Sequence, residues 1–421
     1  MPPNITAFSI IIGAIITVVE IYVVGHWTSF VRKQHMNHWW YRAAWALSAI
    51  MLCIYWYIVY RRHFFRMDGP DIFLFGLVSF WALPKVIVAV GLLIRDVARG
   101  VVFIIRKFRA PSKPLTSSQL ANNYANTPPI ANSTNTEIVA AERRAFLARA
   151  SWTMAAVPFV IVGKGIWKTL YNFRIYHEEI RLPNLPKSMS GFRIVQISDI
   201  HAGSFPDHKP FQEVRRIVES LKPDALFITG DFVNAQPSEL RSVASDLAGL
   251  AAAIPVYATL GNHDHYHTPA EHEVLVKGIR ELGIDLLNNS NRRIGSGSNK
   301  IVLAGTDNTG FKQEFADLSK ALSGSQPDDA IILLAHDPTF WDKEVVGTDV
   351  GLMLAGHTHG GQFGVQLGNY EWSPAKMVYK QSAGLYSKNG QQLYVNRGVG
   401  TVGPPMRIGI PPEITVITLV S

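Results

Sequence analysis

The stretch FRIVQISDIH, residues 192–201, ends a short apolar run with an acid and an imidazole. The run is rich in β-branched residues and has the length of a buried strand. Four later blocks repeat this arrangement, each where an apolar run stops: Gly230-Asp231, Gly261-Asn262-His263-Asp264, Ala335-His336-Asp337 and Gly356-His357-Thr358-His359. Because α/β proteins place their sites on loops after strands, we expect these side chains to meet at one edge of a sheet.

The blocks offer carboxylates, an amide and imidazoles, but no thiolate. This donor set suits Mn, Fe or Zn, and five blocks supply about as many donors as two neighbouring cations require. Each residue taken alone would be explained as a turn, a helix cap or a hydrogen-bonded histidine. In an extended segment, residues i and i+2 point the same way. The spacing therefore predicts that Asp199 and His201 reach one ion together, and that His357 and His359 approach one centre.

An alternation of strands and helices surrounds the blocks from Tyr176 onward. The pattern predicts strands at 192–198, 225–229, 255–260, 301–304, 331–335, 351–355, 392–395 and 414–419. It predicts helices at 208–221, 238–252, 269–282 and 315–322.

The charge of the chain is divided unevenly along its length. Residues 1–174 contain 19 Lys and Arg against 6 Asp and Glu, a net charge of +13, whereas residues 175–421 contain 21 against 26, a net charge of −5. The globular part thus lacks the basic surface of a nucleic-acid enzyme, and no nucleic-acid partner is expected. Cys53 is the sole cysteine, so an internal disulfide and a cysteine-based zinc site are excluded.

Three apolar stretches, at 5–24, 39–60 and 72–94, are each long enough to cross a bilayer. They predict a transmembrane region of three helices over residues 1–105, although buried helices of a large soluble domain are the alternative. Glu20 and Lys85 interrupt the stretches. We expect them to lie near the interfaces or to snorkel; the alternative is a functional pair inside the membrane.

A basic, then polar run predicts a flexible linker at 106–137. The following segment, 138–175, contains Arg143-Arg144 ahead of an apolar run and resembles an uncleaved twin-arginine signal that serves as a fourth membrane helix. An ordinary amphipathic helix is the alternative. The basic loops predict a multi-pass cell-membrane protein whose domain at 176–421 is extracytoplasmic, but the arginines of the 61–66 loop conflict with this orientation.

The blocks together, with the sequences ISDIH at 197–201, GHTHGGQ at 356–362, NRG at 396–398 and PPEI at 411–414, resemble the calcineurin-like metallophosphoesterase superfamily and particularly its YkuE/YaeI-like branch. The resemblance extends from Phe192 to the C-terminus. It implies a four-layer α/β/β/α sandwich, the metallo-dependent phosphatase fold, which is here preceded by transmembrane helices.

The resemblance also implies a role for each site residue. One metal would take Asp199, His201, Asp231 and His359, and the second would take Asp231, Asn262, His336 and His357. Asp231 would bridge the ions, and a hydroxide held between them would attack phosphorus. His263 would face the phosphoryl group as a cation or an acid, with Asp264 orienting its ring. Arg397, and also Arg407, are candidate phosphate contacts because guanidinium matches phosphate geometry.

The sequence thus predicts a membrane-anchored two-metal phosphohydrolase, a phosphodiesterase whose phosphate-ester substrate could be lipid-linked. One alternative is a pyrophosphohydrolase of a lipid such as UDP-diacylglucosamine. The other is a non-catalytic scaffold, which such a complete ligand set disfavours. The metal identity, the native substrate and the oligomeric state stay open.

Overall fold

A computed structural model of the chain describes residues 5–64, 69–108, 133–296, 299–310, 313–368 and 370–421. These residues form two compact units. A membrane unit comprises the described residues within 9–54 and 80–161, and a catalytic unit comprises those within 5–8, 55–79 and 162–421.

The N-terminal helices are α1 (Ile5–Lys33), α2 (Trp39–Phe64), α3 (Gly69–Phe108), α4 (Ser133–Met154) and α5 (Val157–Lys164), and a π-helical turn (Gly165–Thr169) follows them. Four helical segments within this region are long and apolar enough to cross a membrane: Ser9–Lys33, Trp39–Arg61, Gly69–Phe108 and Glu142–Thr169. The fourth contains the Arg143-Arg144 pair, whose resemblance to an export signal stays a prediction. The predicted linker lies largely outside the described residues; 106–108 belong to α3 and 133–137 to α4.

Glu20 and Lys85 form a buried ion pair in the membrane unit. The Lys85 ammonium lies 2.9 and 2.7 Å from the two carboxylate oxygens of Glu20, and the Ser48 hydroxyl donates to the same carboxylate at 2.5 Å. The ammonium also lies 3.3 Å from the ring centroid of Trp81. The expectation that these charges snorkel is therefore wrong, since both side chains are buried against each other, whereas their distance from the interfaces stays a prediction. Charges within membrane spans are tolerated when they meet a partner of opposite sign, as they do in this pair.

The catalytic unit is built on two six-stranded sheets. Its strands are β1 (Arg174–Arg181), β2 (Arg193–Ile197), β3 (Ala225–Thr229), β4 (Val256–Thr259), β5 (Asp285–Leu286), β6 (Ser290–Ser296), β7 (Asn299–Gly305), β8 (Ala330–Leu334), β9 (Leu352–Ala355), β10 (Val365–Leu367), β11 (Tyr370–Trp372), β12 (Gly384–Lys388), β13 (Gln391–Val395) and β14 (Glu413–Val420). The first sheet has the order β1-β14-β2-β3-β4-β5 and the second has the order β12-β13-β9-β8-β7-β6, while β10 and β11 form a separate hairpin. The strands that precede the ligand blocks, β2, β3, β4, β8 and β9, are parallel neighbours within their sheets.

The helices of this unit are α6 (Lys209–Leu221), α7 (Ala244–Ala253), α8 (Pro269–Glu281) and α9 (Leu318–Ala321). All eight predicted strands are present with small differences at their ends. The predicted helix at 238–252 divides into a 3-10 turn (Pro237–Ser242) and α7, and the one at 315–322 shrinks to α9. Strands β1, β5, β6, β10, β11 and β12 were not predicted, because they are short or carry polar residues that hide the strand pattern.

Alternate residues of the central strands pack into different layers. Phe227 of β3 packs in the core between the two sheets with Ile332 of β8. Its neighbour Leu226 packs on the other face of the first sheet with Phe211 of α6, and Ile331 packs on the outer face of the second sheet with Trp341. Strands covered on both faces read as continuous apolar runs. The result confirms the predicted four-layer α/β/β/α sandwich.

Candidate metal centre

The ligand blocks turn sharply where their strands end. Asp199, His201, Asp231, His357 and His359 have φ angles of 49°, 44°, 55°, 73° and 52°, in the left-handed region. The expectation that Asp-x-His and His-x-His are extended is therefore wrong. Non-glycine residues adopt this conformation at a cost of about 1–3 kcal/mol each, and such residues concentrate at functional sites. The side chains converge because the backbone coils at the sheet edge, rather than through the pleat of a strand.

A first group of donors consists of Asp199, His201 and His359, whose ligand atoms lie within 4.8 Å of one another. The Nε2 atoms of the two histidines are 3.1 Å apart, and Nε2 of His359 lies 3.3 Å from the Asp199 carboxylate. All three residues are buried. Two imidazole nitrogens this close to each other and to an acid repel unless a proton or a cation lies between them. The group therefore fits a metal ion.

A second group consists of Asp231, His336 and His357, again within 4.8 Å. The Nδ1–H of His336 donates to the Thr229 carbonyl at 2.6 Å, which leaves Nε2 as the nitrogen with a free lone pair, 3.0 Å from the Asp231 carboxylate. Such a carbonyl partner fixes the tautomer and ring orientation of a metal-ligating histidine. The same Asp231 oxygen lies 3.5 Å from Nε2 of His201, so this carboxylate lies between the two groups.

Asn262 presents its amide oxygen without a hydrogen-bond partner among the described residues, although that atom is buried. Its amide nitrogen donates to the Tyr266 hydroxyl at 2.5 Å. The next residue, His263, donates its main-chain N–H to Asp231 at 2.8 Å, which holds this block against the shared carboxylate. A buried amide oxygen without a partner is costly, and a cation would satisfy it. The structure thus groups six of the seven predicted ligands, and it holds the loop of the seventh, Asn262, against Asp231 through the His263 N–H.

His263 lies at the accessible side of the donors and is half-buried. Its ring centroid is 4.7 Å from that of His201, and it forms a third group with His201 and Asp231. Its Nδ1 lies 2.6 Å from the Asn234 carbonyl, which only accepts hydrogen bonds, so this nitrogen carries the proton of the neutral ring.

Asp264 does not orient His263, contrary to the prediction. Its carboxylate accepts the main-chain N–H groups of Phe232 at 2.9 Å and of Gly261 at 3.0 Å. Burial raises the pKa of this carboxyl to about 7. Asp264 therefore ties two ligand blocks together, and the carbonyl of Asn234 takes the orienting position at His263.

Burial sets most of the electrostatics of the centre. It raises the pKa of Asp199 to about 6 and holds the pKa values of His201 and His359 well below 6.5. Burial would also lower the pKa of His336, but the Asp231 carboxylate raises it to about 10. His201 and His359 are therefore neutral imidazoles beside two carboxylates, a set of donors that favours a divalent cation.

Arg397 is unavailable as a phosphate contact. Its guanidinium donates to Glu413, and also to Glu371 at 3.2 and 3.0 Å, and it lies 4.8 Å from the ring centroid of Tyr176. Its side chain is 9% exposed. The prediction of a phosphate contact is contradicted, because two carboxylates occupy the fork that a phosphate would need.

Arg407 is wholly buried, and its Nη2 donates to the carbonyls of Arg397, Gly398 and Gly400 at 2.9, 3.0 and 2.7 Å. The same atom lies 3.3 Å from Nδ1 of His359. Arg407 therefore holds the loop beneath the donors and is not a phosphate contact at the surface.

Two tyrosines at the centre were not predicted. Tyr379 places its hydroxyl 3.1 Å from Nε2 of His357, and Tyr266 orients the amide of Asn262. Tyr266 could have been found, since it lies four residues after Asn262 and only two residues after the end of the same block. Tyr379 follows His357 by 22 residues and lies in no motif.

Two family descriptions match separate parts of the chain. Residues 6–170 match a family described as "Probable Calcineurin-like phosphoesterase, transmembrane domain", and residues 192–361 match one described as "Calcineurin-like phosphoesterase".

Three relatives illustrate the similarity. The "Transmembrane protein with metallophosphoesterase domain" of Danio rerio is 34% identical over 257 residues, which cover 58% of this chain and 57% of that protein. The "Uncharacterized metallophosphoesterase YkuE" of Bacillus subtilis is 32% identical over 56% of this chain and 82% of its own length. The "Phosphodiesterase YaeI" of Escherichia coli is 29% identical over 57% of this chain and 86% of its own length. The match thus spans little more than half of the Danio rerio protein.

Proposed function

Because the chain belongs to the calcineurin-like metallophosphoesterases, we propose that it is a membrane-anchored two-metal phosphodiesterase that hydrolyses phosphate esters. The observation that carries the proposal is the convergence of six carboxylate and imidazole donors, all buried or half-buried, from four separate blocks. The two donors left free by their hydrogen bonds, Nε2 of His336 and the amide oxygen of Asn262, support it further.

We assign Asp199, His201, Asp231 and His359 to one ion, and Asp231, Asn262, His336 and His357 to the other. Mn, Fe and Zn all accept these donors. When bound, such ions supply Lewis acidity and lower the pKa of a bound water. The protein contributes the fixed tautomer of His336, the fixed amide of Asn262 and a carboxylate placed between the two groups.

His263 is the proposed acid for the leaving group. Because its Nδ1–H is held by the Asn234 carbonyl, Nε2 is the atom that can hold a proton for an alkoxide or phenoxide that leaves. The half-buried position of the ring allows contact with a substrate, unlike the wholly buried ring of His201.

The protein is a multi-pass membrane protein, with four helical segments able to cross the bilayer. We propose that the catalytic unit is extracytoplasmic, on the evidence of the basic segments that flank the spans and of the Arg143-Arg144 pair. A C-terminal reporter enzyme that works only outside the cytoplasm should be active; one that works only in the cytoplasm should be inactive.

Hydrolysis of bis-p-nitrophenyl phosphate by the full chain in lipid discs tests the activity. We expect turnover that requires added Mn. Asp231→Asn should lose both bound metal and turnover, whereas His263→Ala should keep its metal and turn over about 100-fold more slowly. Asp328→Asn, an exposed carboxylate in the same unit, is the matched control and should behave as the wild type. Absence of metal-dependent hydrolysis in the wild type would mean that the fold serves as a scaffold.

A further inference from the structure

An apolar rim follows the metal-ligand block at 356–362. Among the side chains of residues 365–378 that the structure describes, five large apolar ones are exposed: Val365 (50%), Tyr370 (63%), Trp372 (43%), Met377 (80%) and Val378 (76%). We call these five residues the apolar rim. Val365 and Trp372 are cross-strand partners in the β10–β11 hairpin, and clustered exposed apolar side chains mark surfaces that contact another molecule or a membrane.

The rim is joined directly to the candidate metal centre. Gly361 packs so closely on this segment that an added Cβ would lie 3.0 Å from the Ser373 hydroxyl. Val378 is followed by Tyr379, whose hydroxyl lies 3.1 Å from the ring of His357. A molecule that binds the rim at Val378 would therefore lie next to Tyr379, which contacts the proposed metal ligand His357.

The rim is also close to the end of the fourth candidate span. Gln366 of the hairpin accepts a hydrogen bond from the Arg174 guanidinium at 3.1 Å. Arg174 lies five residues after Thr169, where that span ends. Five residues extend over at most about 18 Å, so the hairpin is held near the point where the chain leaves the membrane. At that distance from the end of the span, the exposed side chains of the rim can reach the surface of the bilayer.

The composition of the rim matches that environment. Tyrosine and tryptophan concentrate at the headgroup level of membranes, because their rings are apolar and their edges are polar. Lys376 and Lys380 lie close to the rim in the sequence and are solvent-accessible, so this surface also carries positive charge that can meet lipid phosphates.

We propose that the apolar rim contacts the surface of the bilayer that anchors this chain, and that the adjoining site takes phosphate esters carried by lipids. The first statement stands on the geometry of the rim. The second rests on the proposed phosphodiesterase function.

Site-specific labelling tests the contact. In a Cys53→Ser background, Met377→Cys is labelled with an environment-sensitive fluorophore and the full chain is placed in lipid discs with or without spin-labelled lipids. Val274→Cys, at a residue 63% exposed on α8, is the matched control. We expect a blue shift and quenching by the spin-labelled lipid at position 377, and neither at 274.

Equal quenching at the two positions would overturn the contact. A blue shift that depends on protein concentration and occurs without quenching would show that a second copy of the chain covers the rim. That result would also overturn the proposed membrane contact.

A comparison of substrates tests the lipid class. The double variant Tyr370→Ser/Met377→Ser should lower the ratio of kcat/KM for a phospholipid-borne diester to that for bis-p-nitrophenyl phosphate by about tenfold, since two apolar contacts are lost. An unchanged ratio, with unfolding temperature equal to that of the wild type, would overturn the lipid-substrate statement. If the wild type hydrolyses neither diester, the proposed function fails, and the labelling experiment still decides the membrane contact.

Discussion

Arg397→Met removes a cation that is shared by two carboxylates beneath the metal centre. The guanidinium donates to Glu413, which is wholly buried, and twice to Glu371. Breaking a buried pair by removing one partner costs about 3–5 kcal/mol, because the other charge remains buried. The carboxylate of Glu413 keeps its bonds from the hydroxyls of Tyr394 and Thr415, both at 2.6 Å, so we expect the lower end of that range.

This loss corresponds to a measurable change in unfolding temperature. For a domain of this size, about 3 kcal/mol lowers the unfolding temperature by roughly 6–12 °C. The assay is thermal unfolding of the full chain in lipid discs, followed by near-ultraviolet circular dichroism. Arg293→Met breaks the exposed pair with Asp329 and is the matched control, with no measurable shift expected.

The kinetics separate a structural role from a substrate contact. Below its unfolding temperature, Arg397→Met should keep the KM of the wild type for a diester, since its side chain is turned to carboxylates. If KM instead rises tenfold while the unfolding temperature stays that of Arg293→Met, Arg397 binds phosphate and its structural role is refuted.

Three further results are expected. Tyr266→Phe removes the partner that orients the Asn262 amide and should lower metal affinity, measured by calorimetry, by about 10–100-fold; unchanged affinity would argue against Asn262 as a ligand. Gly165→Ala should lower the unfolding temperature, because its Cβ would lie 3.0 Å from the Arg407 carbonyl, whereas Gly91→Ala, with open space around it, should not. Chelation should lower the unfolding temperature of the wild type, since bound cations stabilise only the folded state, and added Mn should restore it.

The pattern of the sequence predicted the eight central strands, and its resemblance to a known family implied the layers of the sandwich and the seven candidate ligands. Strands such as β3 and β8 are buried on both faces and therefore read as unbroken apolar runs, and the ligands follow them directly. The partners of Arg397 could not be predicted in this way. Glu371 lies 26 residues before it and Glu413 lies 16 residues after it, and neither spacing follows a helical or strand period.

The same limit explains the error at Glu20 and Lys85. These residues are 65 positions apart and lie on different helices, so hydropathy identifies their spans but not their mutual contact. The orienting partner of His263 was missed for a related reason. Main-chain carbonyls such as that of Asn234 carry no residue-type signal, whereas the neighbouring carboxylate of Asp264 does.

Two glycines of the ligand blocks leave space for acidic ligands that belong to other blocks, so the position of each ligand depends on more than its own block. Gly261 and Gly356 are absent from the residues with positive φ, so turn geometry does not require them. A Cβ at Gly261 would lie 2.3 Å from the carboxylate of Asp231, and one at Gly356 would lie 2.3 Å from that of Asp199. Each of these glycines therefore leaves space for an acidic ligand that belongs to a different block. An alanine at either position would displace a carboxylate that lies far away in the sequence, so a recognisable ligand in one block depends on the absence of a side chain in another.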